Sequence, residues 1–182
     1  NDGTRGDINA AIKLTFHEIF HSYFPFFMGF NETKYAWMDE GLITFLPREI
    51  EKILVDDAFP YDNDLAIFKA FSGDEQEVAL MVPSNQLRGI TYQVHAYYRS
   101  SVAFYYLRDY LGESVFHQAL KEFIERWKGK HPTPYDLFFT FNDVTGMDLN
   151  WFWDAWFFKS GWVDLAIENI DIQDKTYHII IE

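Results

Sequence analysis

The segment DINAAIKLTFHEIFHSYFP, Asp7 to Pro25, decides how the rest of the chain is read. Ile8, Ala11, Ile12, Phe16, Ile19, Phe20 and Tyr23 supply apolar faces at helical spacing, Asp7 can cap the start and Pro25 follows the end, so a helix over 7–24 is predicted. Inside it stand His17-Glu18-Ile19-Phe20-His21. Residues four apart on a helix sit about 6 Å along the axis and about 40° around it, so both imidazoles point the same way and can grip one ion. Glu18 is one step round from His17, off that face but close enough to hold a water. Two neutral imidazoles that fix zinc and a carboxylate that takes a proton from the activated water are the parts of a metal-dependent hydrolase. The bland alternative is a pair of surface histidines on a helix.

A catalytic zinc takes a third protein ligand and keeps an open fourth position. Glu40 lies nineteen residues after His21, in Trp37-Met38-Asp39-Glu40-Gly41. A turn around Gly29 brings a second helix, capped by Asn31 and running through Tyr35, Trp37 and Leu42, back antiparallel to the first. Glu40 then returns to the level of the histidines. Asp39 is the rival ligand, pointing about 100° away on a helix. Thr44, one turn on, is a candidate hydrogen-bond partner for a ligand, against the commoner reading of a threonine that merely faces its helix.

The chain has 182 residues, with 19 Phe, 11 Tyr and 6 Trp, enough for one domain with a substantial core. No apolar run approaches the roughly 18 residues of a membrane span. The net charge of −13 repels phosphate backbones and no basic stripe offsets it, which argues against nucleic acid as a partner. Without cysteine there are no disulfides or thiolate metal sites, and the compartment is left open. The chain opens on Asn1 with no Met and no signal pattern, as expected of a piece of a longer protein whose remaining domains lie elsewhere.

Downstream, Pro47 kinks the second helix, with Arg48 to Val55 as its continuation. Asp64 to Phe71 reads as a short helix and Gly73 to Gly89 as loop. Tyr92 to Leu111 is apolar nearly all round, a buried helix whose small Ser100, Ser101 and Ala103 permit close neighbours, ended by Gly112. Glu113 to Lys128 is amphipathic and stops at Gly129. Thr133-Pro134-Tyr135-Asp136 opens another helix closed by Gly146, and Asp148 caps a last one over Trp151 to Lys159. From Val163, Leu165 and Ile167, then Tyr177, Ile179 and Ile181, alternate around Asp174-Lys175, a β-hairpin pattern. The expected fold is mainly α with a short C-terminal β-hairpin.

His17 to His21, the eighteen-residue spacer, and a glutamate followed by Gly with Trp three residues before it resemble the aminopeptidase-N family of zinc peptidases, gluzincins with a thermolysin-like catalytic domain. The resemblance implies one zinc ion held by His17, His21 and Glu40, Glu18 as general base, and hydrolysis of N-terminal residues from peptides. The family carries a transition-state tyrosine in a Tyr-x-Lys-Gly motif, which Tyr97-Tyr98-Arg99-Ser100 matches with Arg for Lys and Ser for Gly. A phenol that stays protonated at neutral pH suits donation to an oxyanion. From composition alone, Tyr97 is one of eleven tyrosines and a packing role is the default, with Tyr98 its nearest rival. The resemblance further implies that residues 1–162 form the helical lobe of the catalytic domain and that 163–182 begin a following β-rich domain. The family's Gly-x-Met-Glu-Asn strand, whose glutamate holds the substrate's amino group, has no match here. Competing readings are a gluzincin endopeptidase or glycyl-type aminopeptidase, and a non-catalytic zinc-binding or assembly module.

The remaining candidates carry less. His95, His117, His131 and His178 have no partner at metal spacing and read as structural or exposed. Asp56, Asp57, Asp62 and Asp64, near Gly73-Asp74-Glu75, read as a solvated acidic loop, since their spacing fits no calcium loop. Trp151-Phe152-Trp153 with Trp156-Phe157-Phe158 reads as core at helical spacing.

Overall fold

The structure is a computed structural model and describes residues 2–48, 54, 62–161, 167–173 and 176–181. Helix α1 spans Asp2–Phe20, starting earlier and ending sooner than the predicted 7–24. Gly3 and Gly6 lower helix propensity by only about 1 kcal/mol each, too little to force a start at Asp7, whose side chain lies outside the described residues. The end is set by Pro25. Proline disfavours a helical conformation in the residue before it, and Phe24 is extended (φ −124°, ψ 113°). The chain continues through a wider, π-type turn over Ser22–Phe27.

Asn31 caps α2 (Glu32–Ala36), its side chain accepting from the Lys34 amide at 3.0 Å. The predicted single helix is in fact interrupted by a π-type turn over Trp37–Gly41 before α3 (Leu42–Phe45). Beyond Arg48 the expected continuation to Val55, and with it Asp56-Asp57, lies outside the described residues apart from Leu54. Helix α4 covers Asp62–Phe71, and the loop after it holds a single 3₁₀ turn at Ser84–Gln86. The predicted buried rod is built from α5 (Gly89–Gln93), a π-type turn (Val94–Arg99) and α6 (Ser100–Leu111), ending at Gly112 with φ 78°. Helix α7 (Glu113–Trp127) pairs with α8 (Pro134–Thr145), which starts with the expected Thr133–Asp136 capping box and stops at Gly146, φ 65°. Asp148 accepts from the Asn150 amide at 2.9 Å ahead of α9 (Asn150–Trp153), which runs on as a π-type turn to Phe158. Strands β1 (Ile167–Gln173) and β2 (Thr176–Ile181) pair antiparallel, with an irregularity between Ile167 and Asn169. Val163, Leu165 and Asp174-Lys175 lie outside the described residues.

The aromatic content goes into the core. Trp37 is fully buried, edge-on to Phe157 at 4.7 Å and stacked with Phe138 at 6.2 Å, while Phe45, Phe104, Phe116 and Phe141 pack around them. This anchors the turn that carries Glu40. The aromatic run is only partly core, because Trp151 and Phe158 face outward.

The solvated acidic loop is corrected at Asp64. Its carboxylate is fully buried, paired with Arg48 at 2.9 and 3.1 Å and accepting from Ser101 Oγ at 3.0 Å. Three hydrogen bonds, from Arg48 Nη2 and Ser101 Oγ, offset the desolvation that a lone buried carboxylate would suffer. No spacing rule reveals such a pairing, because Arg48 and Ser101 lie far apart in sequence.

His95 is structural. It is buried, and its Nε2–H donates to the Leu80 carbonyl at 3.0 Å. Burial, and secondarily the Arg99 charge, push it down to about 4 from 6.5. The unfolded chain therefore takes up a proton near pH 6.5 that the folded chain refuses until about 4. Stability is full above 6.5 and falls by about 3 kcal/mol as pH drops to 4. Urea unfolding of wild type and His95→Gln across pH 7 to 5, above most carboxylate titration, is expected to show a steeper decline in the wild type. Parallel slopes would refute the assignment.

Candidate functional site

His17 sits in the last turn of α1, and His21 just past its end. Their rings meet edge to face at 5.1 Å. The turn at Trp37–Gly41 packs against Ser22–Phe27 and brings Glu40 opposite them. Glu40 Oε2 lies 3.2 Å from His17 Nε2 and 3.9 Å from His21 Nε2. One ligand atom from each of the three residues falls within 4.8 Å of the others. In a tetrahedral site with ligands near 2.0–2.1 Å, ligand atoms are roughly 3.3 Å apart. The observed separations bracket that value.

Glu40 Oε2 is buried and has no hydrogen-bond partner among the described residues, although His17 Nε2 is close. The contact lacks hydrogen-bond alignment. A carboxylate oxygen removed from water and aimed between two imidazole nitrogens is costly unless a cation completes it. The donor set, two nitrogens and one oxygen, suits a divalent metal of the zinc type.

The ring orientation of His21 is set from behind. Its Nδ1 lies 3.0 Å from the Phe24 carbonyl and 3.1 Å from Asp39 Oδ1. A carbonyl only accepts, so Nδ1 carries the proton and Nε2 keeps its lone pair for the side facing Glu40. The extended Phe24 that Pro25 imposes presents this carbonyl. Asp39, only 2% exposed, is therefore behind the histidine rather than in competition with Glu40. Burial first, then the charges of Glu40 and Glu32, push it up to about 9. Sequence reasoning missed this role, because a π-type turn does not keep the 100° step assumed for Asp39; the one available signal was its place beside Glu40.

Tyr97 stands on the π-type turn of the long rod. Its ring stacks on His17 at 6.1 Å, and its hydroxyl feels the Glu40 carboxylate. Burial, then the neighbouring Glu40 carboxylate, raise its pKa above the ordinary value, so the phenol stays protonated at neutral pH. The Tyr98 ring lies 6.5 Å from that of Tyr97, tilted 45° to it. A cavity of about 290 Å³ beside the cluster is lined by Leu14, His17, Thr44, Tyr97 and Tyr98 among others. Glu18 stands exposed on α1. The other described histidines lie elsewhere: His117 is 4.0 Å from Glu113, and His131 bonds the Gly29 carbonyl at 3.0 Å. The side chain of His178 is outside the described residues.

Both departures from the Tyr-x-Lys-Gly pattern have structural work to do. Arg99 is buried, pairs with Glu77 and donates to the carbonyls of Trp156 at 3.0 Å and Lys159 at 2.6 Å, closing the last helix onto the rod. Ser100 donates to the Ala96 carbonyl at 2.7 Å.

A mainly helical unit that gathers two imidazoles, a carboxylate and a phenol on one face has the layout of a metal-binding lobe. Residues 2–156 match the Peptidase family M1 domain, and the chain belongs to that family. It is 22% identical to leucine aminopeptidase 2 of Coccidioides immitis over 92% of its own length and 30% of that protein's. It is 20% identical to the leukotriene A-4 hydrolase homolog of Botryotinia fuckeliana, over 91% of this chain and 28% of the relative. Leucine aminopeptidase 2 of Sclerotinia sclerotiorum is 21% identical over 91% of the chain. The chain thus spans less than a third of the length of these relatives. No helix among the described residues is long and apolar enough to cross a membrane.

Proposed function

We propose that this chain is the zinc-binding helical lobe of an aminopeptidase catalytic domain, residues 1–162, and that 163–182 begin a following β-rich unit. The observation that carries the proposal is the convergence of His17, His21 and Glu40 within 4.8 Å around a buried, unpartnered carboxylate oxygen. The names of two relatives, both leucine aminopeptidases, support peptides with a free amino terminus as substrates. The outward-facing Ile167, Ile170, Tyr177 and Ile179 support the second part, since a two-stranded hairpin alone is marginal in water and has apolar surface left to cover.

His17 Nε2, His21 Nε2 and Glu40 Oε2 would hold the zinc. The ion, when bound, supplies a Lewis acid and lowers the pKa of water towards neutrality. Asp39 and the Phe24 carbonyl keep His21 in the tautomer that leaves Nε2 unprotonated. Glu18 accepts a proton from the attacking water and passes it to the leaving amine. The Tyr97 hydroxyl donates to the oxyanion that develops on the scissile carbonyl.

The test uses the complete parent protein, loaded with one equivalent of zinc and given a short peptide with a free amino terminus or its N-acetylated form. Cleavage of the first residue from the free peptide alone is the expected result. Internal cleavage of both forms would indicate an endopeptidase, and zinc binding without cleavage would indicate a non-catalytic module.

A further inference from the structure

The two wide turns that carry Glu40 and Tyr97 lie against each other, and Gly41, one residue past Glu40, faces Ser100, three past Tyr97. A Cβ placed on Gly41 would lie 2.6 Å from Ser100 Cβ, 3.4 Å from the Ala96 carbonyl oxygen and closer still to Ser100 Oγ. Carbon atoms pack at roughly 3.5–4.0 Å, so a side chain at 41 cannot enter without parting the two backbones. Gly41 has ordinary helical dihedrals (φ −67°, ψ −45°), which any residue adopts. What matters at this position is the missing Cβ rather than backbone freedom.

Ser100 cannot retreat cheaply. Its hydroxyl is buried and tied to the Ala96 carbonyl at 2.7 Å, and its Cβ is fixed by the helix itself. On the same interface, Tyr97 and Glu40 both bear on His17: the Tyr97 ring stacks on it at 6.1 Å and Glu40 Oε2 lies 3.2 Å from its Nε2. We infer that the Gly41–Ser100 contact is a positioning device that sets the separation of the two turns and so holds the Tyr97 hydroxyl and the Glu40 carboxylate in mutual register. Position 41 can carry no side chain while position 100 carries a Cβ. This rests on the reading of Glu40 as a zinc ligand and Tyr97 as the oxyanion donor.

The experiment is a rescue series in the complete parent protein: Gly41→Ala, Gly41→Ala/Ser100→Ala and Gly41→Ala/Ser100→Gly. It reads zinc affinity against a chromophoric chelator, kcat and KM on an aminoacyl anilide, and thermal stability. A displacement of about 1 Å at a catalytic constellation costs on the order of 10²-fold, so Gly41→Ala is expected to lose kcat by about that factor. It should also bind zinc about 10-fold or more weakly, as expected when a ligand loses its support. Ser100→Gly in the same chain removes the opposing Cβ and should restore most of both, whereas Ser100→Ala, which keeps the Cβ, should restore little. A coupling of this kind between two contacting sites is what a merely destabilising glycine replacement would not show. Normal zinc affinity and kcat in folded Gly41→Ala would overturn the inference, and so would equal recovery by Ser100→Ala and Ser100→Gly. If Gly41→Ala does not fold, recovery of fold and zinc binding by Ser100→Gly alone supports the contact, and failure to recover overturns it. Failure of the metal reading itself would show separately, as a wild-type protein that binds no zinc.

Discussion

His17→Ala and His21→Ala are each expected to release zinc from the parent enzyme, while Glu18→Gln keeps it and loses turnover. The histidines present Nε2 atoms at 3.2 and 3.9 Å from the same Glu40 oxygen, so removing either leaves two donors and a half-built cage. The loss should exceed the roughly 10–100-fold caused by changes behind the ligands. Glu18 stands on the same helix but outside the group of converging atoms. Glutamine keeps its size and removes only its capacity to take a proton, so kcat should fall by roughly 10²–10⁴-fold with zinc content unchanged. Zinc content by elemental analysis after dialysis and kcat on an aminoacyl anilide separate the two roles. A Glu18→Gln enzyme that loses zinc as completely as His17→Ala would show the roles to be misassigned.

Tyr97→Phe is expected to lower kcat by roughly 10²–10³-fold, the usual cost of deleting one oxyanion donor, with KM and zinc content close to wild type. The substitution removes one hydroxyl and almost no volume, so the stacking on His17 survives. A hydrogen bond from this hydroxyl to the developing oxyanion strengthens binding in the transition state rather than the ground state, which places the loss in kcat. Tyr98→Phe serves as the control, because it is Tyr97 whose ring stacks on His17, and it should change little. Near-normal kcat in Tyr97→Phe, or a loss confined to Tyr98→Phe, would sink the assignment.

The two candidate histidines and the candidate base were legible because their pattern is local. The four-residue step between His17 and His21 is a property of any α-helix, and Glu18 stands between them. The caps at Asn31 and Thr133 and the stop at Gly146 were equally legible, since each works through its own backbone. Tyr97 is different. Eleven tyrosines share its composition, and only the resemblance to a family motif singled it out.

The misreadings share one cause, which is that the decisive partner is distant in sequence. Asp64 looked like a solvated loop residue until Arg48 and Ser101 closed on it. Asp39 was read only as a rival to Glu40, because its contact with His21, eighteen residues earlier, arises when the two segments pack. Among the described residues, four π-type turns follow or interrupt helices that periodicity reads as regular, and two of them carry Glu40 and Tyr97. An extra residue per turn leaves no hydrophobic signature in a segment buried on most sides.

The amino-acid sequence by itself determined the helical character, the paired placing of His17 and His21 on one helix face, and the caps and stops, because each depends on residues within a turn or two of one another. Only the tertiary structure decided which nitrogen of His21 keeps its lone pair, that Glu40 and Tyr97 both meet His17, and that Gly41 and Ser100 lie in contact. Those features depend on how closely separate segments approach, and that separation is set by side chains packing across the core rather than by any run of sequence.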